Sequence, residues 1–189
     1  MANQDSPFGL RAIGKIGQNR DNQGLAEFSI AASATAIYGQ DPVKALNTGT
    51  IGVAAAGDTL LGSLNGVFFT DATTSKPTFA NHLNASNTAT DIVGFVSSDP
   101  YERFEIQSDN TTASAQTDVF MNYDITYAAG SSHDYLSGVE LDDSTTSATS
   151  GQLRVVGVSK DIKNNDLTAS HVNFVVMINE HFLKGTAGV

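Results

Sequence analysis

From Leu25 onward, short apolar runs alternate with turn-forming clusters every 8–15 residues, and this rhythm constrains the fold more than any other feature. Candidate strands are 26–31 (AEFSIA), 34–38, 43–46, 51–55, 60–69 (LLGSLNGVFF), 91–97, 101–107 (YERFEIQ), 123–128, 152–160 and 172–179 (VNFVVMIN). Gly, Pro, Asn, Asp, Ser and Thr fill the breaks, including 39–42, 70–77, 99–100, 142–151 and 163–166. Many short strands with regular turn signals predict an all-β, antiparallel β-barrel or sandwich domain over 25–183. No amphipathic stripe sustains a helix beyond ~10 residues. Short helices are expected only at 79–85 and 113–121.

Composition agrees. The 189 residues include 18 Ser and 19 Thr, more than the 30 charged residues. Ser and Thr compete with helical hydrogen bonds and suit strands and turns. Within 101–107, Phe104 and Ile106 fall on one strand face and Arg103, Glu105 and Gln107 on the other. Glycine interrupts three apolar runs, at Gly62, Gly94 and Gly157. Inside a strand it marks a bulge, a bend or a close approach. Barrel corners are the expectation here.

Residues 1–24 show neither helical nor strand periodicity. They read as an extended N-terminal arm whose scattered apolar side chains, Phe8, Leu10, Ile13 and Ile16, would be satisfied on a neighbouring surface. Residues 184–189 read as a flexible C-terminal tail. Asp5 against Arg11, Lys15 and Arg20 leaves residues 1–20 at +2. Residues 85–150 hold eleven acids and one base, Arg103, which accounts for the whole net charge of −10. Opposite signs on two parts of one chain favour contact between copies, the arm cations meeting a neighbour's acidic middle. The acidic body disfavours binding to a nucleic-acid backbone. No apolar run approaches the ~18 residues that span a bilayer, and no secretory leader pattern opens the sequence.

Chemistry-bearing motifs are lacking. Without cysteine there is no disulfide, thiolate metal site or thiol nucleophile. His82, His133, His171 and His181 show no H-E-x-x-H or H-x-H spacing, and His181 reads as a strand-end cap. Asp142-Asp143-Ser144 lacks the calcium-loop frame and reads as a solvated turn. Gly14-Lys15-Ile16-Gly17 is not a phosphate-binding loop, and no G-x-S-x-G occurs. Glu102 and Glu105 point to opposite strand faces, unlike a glycosidase pair. No catalytic residue, metal ligand or cofactor is expected.

Five ordered segments resemble the capsid cement (decoration) proteins of tailed bacteriophages: D-S-P-F-G-L-R (5–11), A-A-A-G-D-T-L-L-G (54–62), F-E-I-Q-S-D (104–109), S-G-V-E-L-D (137–142) and V-V-M-I-N-E-H (175–181). The resemblance implies a non-enzymatic virion protein that binds the outside of the assembled capsid at symmetry or quasi-symmetry axes. It would be found in the host cytoplasm during assembly. The implied partners are the major capsid protein and other copies of the chain, as a homotrimer or a dimer, with no membrane and no direct nucleic acid. Phe8, Leu10, Arg11, Ile13, Lys15, Ile16 and Arg20 are then the expected capsid or neighbour contacts. The alternative is a tail or fibre adhesin domain binding a host glycan, which the absence of Trp and the few Tyr disfavour.

Overall fold

The computed structural model describes residues 3–16, 25–109, 114–185 and 188–189. Among them the chain is almost entirely β: β1 (Arg11–Lys15), β2 (Ala26–Ser29), β3 (Pro42–Ala45), β4 (Ile51–Val53), β5 (Gly62–Thr70), β6 (Pro77–Ala80), β7 (Val93–Ser97), β8 (Glu102–Gln107), β9 (Asn122–Thr126), β10 (Glu140–Ser147), β11 (Leu153–Val158) and β12 (Asn173–Ile178). All ladders are antiparallel, in two six-stranded sheets forming a sandwich. Sheet I runs β1-β8-β12-β11-β9-β10; sheet II runs β2-β7-β5-β3-β4, with β6 also paired to β5.

The sheets divide the sequence almost cleanly. Residues 26–97 supply all of sheet II, and residues 102–178 supply five strands of sheet I. β1 is the exception: it precedes sheet II in the chain yet pairs with β8 of sheet I. Each sheet has its own apolar cluster. Phe104, Ile106, Leu153, Val155, Phe174 and Val176 anchor the first. Ile37, Val43, Leu64, Val67, Leu83 and Val96 anchor the second.

Connecting segments cross between the clusters. Ala54 and Leu60, from the β4–β5 connection, are buried in the sheet I cluster. Phe182, beyond the last strand of sheet I, packs on the sheet II cluster. The crossing is held by hydrogen bonds from Leu60 N to Glu180 O (3.0 Å) and Phe182 N to Leu60 O (2.8 Å). The fully buried Gln152 donates through Nε2 to Ala55 O at 2.9 Å and Asp58 O at 2.7 Å, and its Oε1 accepts from Ile125 N at 3.1 Å.

Several expectations are corrected. The segment 34–38 forms no strand; the buried Ile37 makes one isolated bridge to Leu83. The helix expected at 79–85 is absent, and Phe79 and Ala80 lie in β6, recruited by the far end of the nine-residue β5. Of 113–121, residue 113 lies outside the described residues, and in the rest Gln116–Asp118 form a single 3-10 turn. Asp142-Asp143-Ser144 lie within β10, although Asp142 Oδ1 still accepts turn-like bonds from the Ser144 amide and hydroxyl. The glycines are not barrel corners. A Cβ on Gly62 would collide with the Ser97 carbonyl, and one on Gly94 would press on Ile30, Ile51 and Leu64. Gly157 has open space but sits at a register shift between β11 and β12.

Lys184 is part of a 3-10 turn (Phe182–Lys184), with its ammonium 5.2 Å from the Tyr101 ring centroid. The tail expected from residue 184 therefore begins inside the folded body. Residues 186–187 lie outside the described residues.

Candidate functional site

The N-terminal segment departs most from its sequence reading. Residues 3–16 are extended, as expected, but they lie on the chain's own sheet I. Leu10 is 0% exposed within that sheet's apolar cluster, a burial that stabilises by ~1.5–3 kcal/mol. Its amide donates to Gln40 O (2.9 Å), and its carbonyl accepts from the Ser63 hydroxyl (2.6 Å). Gly9 has φ of +75°, and a Cβ there would strike Gln40 O and Ser137. That close approach favours glycine.

Upstream, buried amides of the body hold the segment by its backbone. Gln107 Nε2 donates to Gln4 O (2.9 Å), and Gln107 Oε1 accepts from Ser6 N (2.8 Å). Asn164 Nδ2 donates to Gln4 O (2.8 Å), and Asn3 Nδ2 donates to Ser170 O (2.8 Å). The face of β8 opposite Phe104 and Ile106 is consequently covered, and Glu105 and Gln107 are buried rather than solvated.

The charges expected to reach a neighbouring copy are used within the chain. The Arg11 guanidinium pairs with Glu105, its cross-strand partner, and lies 4.5 Å from the Phe8 ring centroid. Lys15 Nζ is 2.7 Å from Asp99 Oδ2. Gly14, at a β1 bulge, donates its amide to Glu102 Oε1 (3.0 Å). Burial raises the Glu102 carboxyl above its usual range, against the pull of that amide and of Lys15. Ile13 and Ile16 remain 45% and 46% exposed. Arg20 and the rest of 17–24 lie outside the described residues. β1 ends sheet I, and two adjoining clefts of about 390 and 260 Å³ run beside it, sharing Ala12, Asn65 and Ser97. Among the described residues, no aromatic side chain lines either cleft.

A second constellation lies where the N-terminal segment meets the start of β10 and the β11–β12 connection. Asp5, Glu140 and His171 each place a donor atom within 4.8 Å of the others. His171 Nδ1 is 3.9 Å from both Asp5 Oδ1 and Glu140 Oε1. Nδ1 and Oε1 are shielded from solvent and have no hydrogen-bond partner. Burial pushes the Glu140 carboxyl up to about 7, with Asp5 and Asp109 adding repulsion. Sequence reading missed this group because its members lie 135 and 31 residues apart and share no motif.

The other histidines have ordinary surroundings. His82 stacks on Tyr135, centroids 3.8 Å apart, and His133 is exposed. His181 Nδ1 accepts from Leu183 N (3.1 Å) and caps the final 3-10 turn, close to its expected capping role. Burial, then the nearby Lys184 charge, push the His181 imidazole down to about 4, so it is neutral at pH 7.

A third feature lies on sheet II. Phe68 and Phe79 are cross-strand partners with centroids 4.7 Å apart, and Phe79 stacks toward Phe95 at 6.4 Å. Phe79 is 73% exposed. No protein-family model, curated protein or solved structure matches the chain.

Proposed function

We propose that this chain is a non-enzymatic structural protein of a phage virion, binding the outside of the assembled capsid at symmetry or quasi-symmetry axes. The sequence resemblance across five ordered segments motivates the class. The structural observation that supports it is β1: a strand at the end of its sheet, beside two clefts, with Ile13 and Ile16 half exposed. Apolar side chains at an open strand edge suit a second protein surface better than water. Leu10 belongs to the body in this reading, and Ile13 and Ile16 carry the outward contact. Repeated capsid sites call for a symmetric oligomer, a homotrimer first, so weak contacts multiply by avidity.

The test is co-sedimentation of the purified protein with capsids that lack it, using the wild type and the Ile13→Asp, Ile16→Asp double variant. Wild-type protein should bind and delay heat-induced rupture; the double variant should stay folded and bind far less. Equal binding by the variant removes the β1 contact. Absence of wild-type binding removes the capsid role.

The row Phe68–Phe79–Phe95 favours a second reading, an adhesin domain that stacks a glycan ring on exposed aromatic faces. Binding on a glycan array that disappears with Phe79→Ala, from protein that ignores capsids, would put this reading first.

A further inference from the structure

We propose that Asp5, Glu140 and His171 form a binding site for a divalent transition-metal ion of the zinc class, which clips the N-terminal segment to the body. The juxtaposition is non-local: Asp5 comes from the N-terminal segment, Glu140 opens β10, and His171 stands two residues before β12. Donor atoms within 4.8 Å of one another leave a central point ~2.5 Å from each, close to the ~2.0–2.2 Å of zinc–nitrogen and zinc–oxygen bonds.

An independent observation points the same way. His171 Nδ1 and Glu140 Oε1 face each other at 3.9 Å, too far to hydrogen-bond, and both are shut off from water without a partner. Buried polar atoms are rarely left in that condition, and an ion between them satisfies both. His171 is held in place by its own backbone: its carbonyl accepts from Asn164 Nδ2 (2.7 Å), and the next amide donates to Ser108 Oγ (3.0 Å). Asn164 also binds Gln4 O, so one side chain positions both the imidazole and the segment carrying Asp5.

The donor set selects the metal. One imidazole nitrogen with two carboxylate oxygens suits zinc, manganese or cobalt. Calcium and magnesium prefer all-oxygen shells. Three protein ligands leave a fourth position for water. Asp5 is the most exposed of the three, so the ion closes the site by drawing in the N-terminal segment. This inference stands apart from the capsid reading.

The experiment uses the full chain, freed of metal with a chelator and titrated with zinc chloride at pH 7.5 by calorimetry and thermal melting. One zinc per chain should bind, with a rise in Tm that calcium and magnesium at the same concentration do not produce. Glu140→Gln and His171→Gln should each weaken binding ~10-fold or more, and Asp5→Asn should weaken it measurably. His133→Ala, on an exposed loop, should leave it unchanged. Imidazole NMR of the wild type needs no variant: zinc should shift the His171 resonances and leave those of His82, His133 and His181 in place. Absence of saturable zinc binding overturns the proposal. So does binding that survives Glu140→Gln and His171→Gln, or zinc shifts confined to other histidines.

Discussion

The two sheets solve the same packing problem by different means. Sheet II takes its strands from one stretch of chain, and among the described residues those strands bury one polar side chain, Ser63, beside an aliphatic cluster. Sheet I also has an aliphatic and aromatic centre, but it buries Glu102, Glu105, Gln107, Asn122, Gln152 and Asn173 as well. Four of these fasten a distant piece of chain. Glu102 and Glu105 hold β1, Gln107 holds residues 4–6, and Gln152 holds the 55–58 turn of the β4–β5 connection. Apolar burial is non-directional and stabilises whatever packs. A buried amide or carboxylate accepts only a segment that satisfies it, because an unmet buried polar group costs ~1–3 kcal/mol. Sheet I thus uses polar groups to specify which remote segments dock.

The largest break in this contrast should come from Leu10→Ala. It removes the one fully buried hydrophobic side chain among the described residues 3–16 and should cost ~2–5 kcal/mol in urea unfolding. Native-state hydrogen exchange should then rise along β8 and leave β5 and β7 unchanged; uniform loosening would make the segment part of a single shared core. Removing residues 2–20 outright would strip β1 together with Leu10, so such a truncation is expected to destabilise sheet I and not merely trim an arm. Gln152→Ala should cost somewhat less, ~1–3 kcal/mol, by leaving the Asp58 carbonyl and the Ile125 amide unmet and the Ala55 carbonyl with the Asp58 amide alone. Chemical denaturation measures it, and a near-neutral result would show that water replaces the amide.

Asp41 sharpens the comparison from the side of sheet II. It is 0% exposed and packs near Tyr38, Tyr127 and Ser137. Burial raises its carboxyl to about 6, with the Ser137 hydroxyl and the Tyr38 amide opposing. A folded value above the unfolded one means the fold prefers the protonated form. Its stabilisation is full below about pH 4 and is lost as pH rises through 6. Asp41→Asn should flatten this dependence, gaining ~1–2 kcal/mol on the wild type between pH 5 and pH 8. Parallel stability profiles for the two proteins would refute it. The smallest effect belongs to Lys44→Met, which breaks the partly exposed pair with Asp58 (2.7 Å); within ~1 kcal/mol is expected, shrinking further in salt.

Strands with one apolar face were legible residue by residue. Leu64 and Val67 in β5, Phe104 and Ile106 in β8, and Phe174 and Val176 in β12 carry a local pattern that survives in any pairing partner, and all are buried. β10 was not legible, because ELDDSTTS buries a single apolar side chain, Leu141, and is a strand through its ladder with β9. β6 was hidden by Pro77, which a strand tolerates at its first residue. Of the candidate contact residues, Leu10 and Ile13 look alike in sequence, yet one is buried and the other half exposed.

The sequence by itself determined an all-β chain, its acidic middle and most of its strands, since these follow from side-chain alternation and turn chemistry over a few residues. Only the tertiary structure decided that β1 crosses to sheet I, that Arg11 and Lys15 find their acids within the chain, and that Asp5, Glu140 and His171 meet. Each depends on pairing between segments separated by many tens of residues, and strand pairing is chosen by which buried groups the whole fold can satisfy at once.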